Sequence, residues 1–285
     1  MQIVAATDFS TRSNRALRQA GLLAQADQSQ LHVVRVVDDD QPEELVRVEK
    51  REAERVLREQ VESMPELQGI QARPMVVTGD PFDGILRVAA AVKADLVVLG
   101  SHRKRLLRDV FIGTTIERVI RKGSVPVLMV NHEAQRRYDN IVAPVDMSDV
   151  SANALQVALS TGLIGGGHAT LLHALSVPAK GNMFIAGSDQ ASIDQHVERE
   201  RQRARNELAA FLAAYDLDRE RWSLRVEEGG PMEVISRVAA ELRPDLLVMG
   251  THGRSGLLKA LIGSVTEEAL RSLDLDILVV PSVKR

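Results

Sequence analysis

Short apolar runs recur along this chain, each followed by a longer stretch in which apolar positions return every three or four residues. The runs at 2–6, 31–37, 71–77, 96–99 and 127–130 have the length of buried strands. Amphipathic helices fill the gaps and begin near Ser10, Pro42, Pro81 and Thr114. Runs at 141–144, 170–174, 223–226, 246–249 and 277–280 repeat the pattern in the second half. Apolar strands alternating with helices predict a parallel sheet covered on both faces, with right-handed crossovers. The pattern therefore makes each half a compact five-stranded α/β domain.

The two halves also match motif by motif. Asp8, Ser10, Ser13, Ala16 and Leu17 recur as Asp146, Ser148, Ser151, Ala154 and Leu155. Gly79-x-Pro81 recurs as Gly229-x-Pro231, and the four residues from Arg87 recur unchanged from Arg237. Gly100-x-His102 recurs as Gly250-x-His252, and Gly113-Thr114 as Gly263-Ser264. The register lengthens from 138 to 150 along the way, so the second half carries a 12-residue insertion. Residues 178–190, polar and glycine-containing, are expected to hold it as a loop. Chance does not produce this many ordered matches, and the chain is a tandem duplication. The polar segment 131–139 is the expected linker, between domains at 1–134 and 135–285.

The richest chemistry lies just after the strand at 246–249. Gly250, Gly253 and Gly263 let the backbone turn sharply and approach a ligand without Cβ interference. Ser264 stands near the start of a helix that follows, so amide groups and the helix dipole converge on an anion. In open α/β sheets ligands bind beyond the carboxyl ends of the strands, where the winding reverses. If the first and fourth strands are neighbours there, Asp146 and the glycine loop face one crevice. A carboxylate at that place accepts from an adenine amino group or a ribose hydroxyl; alternatively, Asp8 and Asp146 only cap the following helices. His102 and His252 could touch phosphate or ribose, or pack over the loop. His173 reads as a satisfied core histidine.

Composition narrows the field. The chain has 285 residues, a formal net charge of −3 and no cysteine. Without a basic excess there is no drive for nucleic-acid binding. Without cysteine, disulfides, thiolate catalysis and cysteine metal sites are excluded. The N-terminus enters a strand directly, and no apolar stretch approaches a membrane span, so a soluble cytoplasmic protein is expected. Neither HExxH nor the Walker A pattern GxxxxGK[ST] occurs. A phosphoacceptor receiver domain is disfavoured, since Asp8 ends a first strand rather than a third.

The spacing Gly-x2-Gly-x9-Gly-Ser from Gly250, the early Asp146 and the Val-rich last strand resemble universal stress proteins over the whole chain. The resemblance implies two tandem doubly wound domains, each with a five-stranded parallel sheet of order 3-2-1-4-5 covered by helices on both faces. It implies ATP, with any Mg2+ brought by the nucleotide, held through Asp146, Gly250, Gly253, Gly263, Ser264 and the backbone of Val265. Thr266 and His252 join that set, while Val145, Met249 and Ala174 line the adenine pocket. It further implies that the two halves pair through their last strands, otherwise open sheet edges. Pairing between whole chains could give a homodimer with four domains.

The first half departs from this motif. Asp8, Gly100, Gly113 and Thr114 remain, but Arg103 stands at the middle glycine position, followed by Lys104 and Arg105. A side chain there either blocks the backbone approach or reaches a phosphate as a cation. The expectation is a degenerate first site and a stress or signalling protein that binds ATP mainly in its second half. The alternatives are a slow ATPase and an interaction module that binds no nucleotide.

Overall fold

The computed structural model describes residues 1–101, 114–133, 136–164, 167–252 and 262–282. The first half runs β1 (Gln2–Ala6), α1 (Thr11–Asp27), β2 (Gln30–Val37), α2 (Glu43–Ser63), β3 (Ala72–Thr78), α3 (Pro81–Ala91), β4 (Leu96–Gly100), α4 (Thr115–Lys122) and β5 (Val127–Val130). The second half runs β6 (Asn140–Pro144), α5 (Asp149–Ser160), β7 (His168–Leu175), α6 (Pro178–Ile185), α7 (Gln190–Ala214) and β8 (Trp222–Glu228). It closes with α8 (Pro231–Leu242), β9 (Leu246–Gly250), α9 (Ser264–Ser272) and β10 (Asp276–Val280).

Helix starts follow local chemistry. Ser10 and Ser148 cap α1 and α5 by accepting from the amides of Ser13 and Ser151. Pro81 and Pro231 open α3 and α8, where a missing N–H costs nothing. The central strands β1, β4, β6 and β9 carry three or four buried residues each, as strands covered on both faces require.

The described strands form one sheet of order β3-β2-β1-β4-β5-β10-β9-β6-β7-β8. Each half has the order 3-2-1-4-5 and pairs in parallel throughout, so the winding reverses between β1 and β4, and between β6 and β9. The halves meet where β10 pairs antiparallel with β5, Leu278 opposite Leu128. That pair joins the core on one face of the sheet, while Val127, Met129, Ile277 and Val279 join the core on the other. The strand edges expected at the end of each half thus cover one another.

Two expectations change. Residues 178–185 form α6 rather than a loop: Pro178 supplies a ready first turn, and Lys180 ties the helix to Glu228 at the end of β8 at 2.8 Å. None of its residues is buried, so no apolar period marked it in the sequence. The connecting segment is also more than a polar linker. Asn131 and Tyr138 are buried because both hydrogen-bond into β10 and the turn before it.

Candidate functional site

At the carboxyl end of β6 the chain passes through Val145 and Asp146 beside Gly250, the last residue of β9. Met147 takes a left-handed φ of 60°, which swings the chain into the cap of α5. Asp146 Oδ1 accepts from the Ser148 amide at 3.2 Å and from the Ser151 hydroxyl at 2.7 Å. The cap is therefore Ser148, and Asp146 braces the capping turn from the cleft side. Gly250 is required by packing, since a Cβ there would lie 2.6 Å from Val150 Cγ1.

These strand ends open a cavity of about 360 Å3. Val145, Asp146, Ala174, Met249, Gly250 and His252 line one side. Gly263, Ser264, Val265 and Thr266 close it from the start of α9. The structure thus brings together every second-half candidate except Gly253. Gly253 lies outside the described residues, as do His102, Arg103, Lys104, Arg105 and Gly113 of the first half. The sequence reading missed the wall made by Pro231, Val234 and Ile235 of α8, although the repeated Gly-x-Pro motif marked its start.

Two features make this cavity suited to an anion. The N-cap of α9 is Gly263, which has no side chain to bond the first amides of the helix. Thr266 Oγ1 instead donates to the Gly250 carbonyl at 2.8 Å and locks the helix start to the strand end. Secondly, His252 Nδ1 contacts Thr251 Oγ1 at 3.0 Å, but its Nε2 is buried without a partner among the described residues. Burial pushes this imidazole below its ordinary value. His173 lines the cleft as well, its Nδ1 donating to the Val145 carbonyl at 2.9 Å.

The first half keeps the frame and changes the walls. Asp8 Oδ1 accepts from the Ser10 amide at 2.9 Å and the Ser13 hydroxyl at 2.8 Å. Burial works to raise the Asp8 carboxyl, but the bonds from Ser10 and Ser13 outweigh it and hold the group below the ordinary aspartate value. Asp8, Gly100 and Thr114 line a cavity of about 350 Å3. Here Thr114 caps the helix, accepting from the Glu117 amide at 3.2 Å, so α4 starts one residue later in the repeat than α9. Among the described residues there is no cluster of side chains that could hold a metal ion, and no helix long and apolar enough to cross a membrane.

The chain is similar to known proteins in sequence and fold. Universal stress protein E of Salmonella typhi is 28% identical over 207 residues, 70% of this chain and 65% of that one. Universal stress protein MJ0577 of Methanocaldococcus jannaschii is 32% identical over 65 residues, 23% of this chain and 40% of that one. The chain thus matches less than two-thirds of the length of either relative. A universal stress protein from Archaeoglobus fulgidus shares the fold with a TM-score of 0.69 at 18% identity, over 98% of both chains. A putative universal stress protein from Pseudomonas aeruginosa UCBPP-PA14 gives 0.65 at 20% identity, over 98% of this chain and 92% of that one. The model of the Universal stress protein family matches twice, at residues 1–131 and 137–281. The chain belongs to the universal stress protein family.

Proposed function

We propose that this universal stress protein binds ATP in its second-half cleft, and that occupancy shifts its conformation or its hold on a partner. Such coupling requires different nucleotide affinities in the two states. In this reading residues 1–134 and 135–285 are two domains of the family's type, with a degenerate nucleotide motif in the first and an intact one in the second.

The observation that carries the reading is the open start of α9, facing the same cavity as the orphaned Nε2 of His252. Helix amides without a side-chain cap suit phosphate, and a buried ring nitrogen with no partner among the described residues is an unmet hydrogen bond that a ligand can satisfy. Gly263, Ser264, Val265 and Thr266 would hold the phosphates, with Gly253 assigned from the sequence motif. Val145, Ala174 and Met249 offer apolar surface for adenine, and Asp146 an acceptor for its amino group or for a ribose hydroxyl. A Mg2+ ion would arrive on the phosphates. The last strands of the two halves pair with each other, so a homodimer would use another surface.

Ser264→Asp tests this reading with the fold under control. A carboxylate at the first position of α9 favours the helix by about 0.5 kcal/mol while repelling phosphate. Calorimetric titration of the full chain is expected to show ATP affinity falling at least about tenfold, with the unfolding temperature held or raised. Wild-type protein that takes no ATP, or a variant with unchanged affinity, overturns it.

A further inference from the structure

The first-half cleft matches the second in frame and nearly in volume, yet its lining differs in kind. Among the described residues, the second cleft is lined by one carboxylate, Asp146, and by no arginine or lysine. The first has one carboxylate, Asp8, and two guanidinium groups, Arg12 and Arg35, among its described lining residues. In the repeat Arg12 stands at the place of Val150 and Arg35 at the place of His173. Apolar wall is lost at the same time, since Thr7 replaces Val145 and Thr115 replaces Val265.

We propose that the first cleft binds a small multiply charged anion without a purine ring, of the chemical class of short inorganic polyphosphates, on Arg12 and Arg35. Guanidinium groups present forked donors that match phosphate oxygens and stay charged at any physiological pH.

Three observations support the assignment. Arg35 Nε is buried without a partner among the described residues, while the same guanidinium lies 5.3 Å from the centre of the Phe9 ring and 3.7 Å from Glu49. Its position is therefore fixed with a donor left over. Arg12 lies in the first turn of α1, which holds no acidic residue, against the unfavourable end of the helix dipole. No described side chain pairs with it, whereas α5 has Asp149 in its first turn. Thirdly, Thr114 already caps α4, so the cations and the Thr115 hydroxyl replace the open helix amides that distinguish the second cleft.

The walls favour a purine less than those of the second cleft. Val36 takes the place of Ala174 and packs against α3, where a Cβ at Gly84 would lie 2.8 Å from both its methyl groups. The Thr7 hydroxyl accepts from the Phe9 amide at 3.0 Å and stands 3.1 Å from Ser13 Oγ, so a hydroxyl replaces one of the two methyls that Val145 offers. A cavity of about 350 Å3 with two cations and less apolar surface favours charge over stacking.

This assignment stands on first-half side chains and does not require the second cleft to bind ATP. The test is calorimetric titration of the full chain with inorganic tripolyphosphate in the presence of saturating ATP, with ATP titrated separately. Arg12→Val and Arg35→His install the second-half residues. One tripolyphosphate site per chain is expected, weakened at least about tenfold by each variant while ATP affinity stays unchanged. Arg12 is half-exposed and unpaired among the described residues, so Arg12→Val keeps the result interpretable should Arg35→His loosen the fold. No tripolyphosphate binding up to about 5 mM, or affinity indifferent to both variants, overturns the proposal. A second ATP site lost in Arg12→Val overturns it too, since a purine then fits.

Discussion

Tyr138 Oη donates to Asp276 Oδ2 at 2.7 Å, tying the segment that joins the two halves to the first residue of β10. Asp276 Oδ1 also accepts the amides of Asn131 at 2.7 Å and His132 at 3.0 Å, just beyond the end of β5. One carboxylate thus closes the chain leaving the first half onto the strand that pairs with it. In the repeat this aspartate stands at the place of Pro126. A proline there could accept nothing through its side chain, and the amides of Asn131 and His132 would have no acceptor. Burial raises the Asp276 carboxyl above the ordinary aspartate value, and its hydrogen bonds do not bring it back down. Burial and the neighbouring Asp276 charge together push the Tyr138 phenol well up.

Asp276→Ala strands two buried donors, the Asn131 amide and the Tyr138 hydroxyl, and is expected to cost about 3 kcal/mol in denaturant unfolding. Asp276→Asn keeps the amide acceptor and removes the buried charge, so it should be near neutral. Its pH dependence carries the sign. A carboxyl raised in the folded state holds its proton there longer than in the unfolded chain. Wild-type stability from this group is complete below the unfolded value and is lost as pH rises through the folded one. The stability of Asp276→Asn relative to wild type should therefore increase as pH rises from about 4 toward neutrality. A difference that stays constant over that range rules out the raised carboxyl.

Gly84 and Val36 form a size-matched pair between α3 and β2. A Cβ at Gly84 meets both Val36 methyls at 2.8 Å, and a β-branched side chain has little freedom to turn away. Gly84→Ala should destabilise by about 1–3 kcal/mol through overpacking, despite the better helix propensity of alanine. A Val36→Ala background removes the 2.8 Å contacts and leaves only Val77 Cγ2 at 3.3 Å, so most of the propensity gain of about 1 kcal/mol is recovered. Gly84→Ala should then stabilise. A double-mutant cycle without that reversal of sign refutes the pairing.

Gly100 and Gly250 occupy the same place in the two clefts but meet different atoms. A Cβ at Gly100 would lie 2.6 Å from the Arg12 carbonyl oxygen and 2.9 Å from the Ser13 amide nitrogen, which belong to backbone. At Gly250 the nearest atom is a Val150 methyl. Gly100→Ala should cost the upper part of the about 1–3 kcal/mol range, and no side-chain change at Arg12 should relieve it. Gly250→Ala should be relieved by Val150→Ala. Thermal unfolding of the two pairs of variants decides the matter.

His252 makes nucleotide binding pH-dependent in a defined direction. Burial keeps the free imidazole below its ordinary value, and a phosphate beside Nε2 would favour the charged ring. Proton uptake then accompanies binding, so affinity rises as pH falls through the interval between the free and bound values. His252→Gln retains a donor but cannot titrate. Its affinity at about pH 8 should lie within about threefold of wild type, with a flatter rise below about pH 6.5. Parallel profiles for the two proteins exclude a phosphate contact at this ring.

Much of the fold was legible because it rests on local rules. The runs at 31–37, 71–77 and 96–99 correspond to β2, β3 and β4 with ends displaced by a residue. α7 begins at Gln190, where Asp189 accepts from the Ser192 amide and caps it. α6 was not legible, since a helix that buries no residue leaves no apolar period to read. In the cleft, Asp146 and Gly250 were legible from their place at strand ends, whereas His173 was read as a core residue and in fact lines the cavity.

The sequence by itself determined that the chain is a duplicated α/β unit, where its strands fall, and which turns carry serine, aspartate and glycine. Those properties are written in periodicity and spacing along a few consecutive residues. Tertiary structure alone decided the antiparallel sense and register in which β5 and β10 pair, and that Tyr138 and Asp276 meet at their junction. It also decided that Arg12 and Arg35 share a cleft, and that Val36 leans on Gly84. These relationships join residues far apart in the chain. Each depends on which apolar faces and unpaired backbone groups leave water together, and local pattern does not encode that choice.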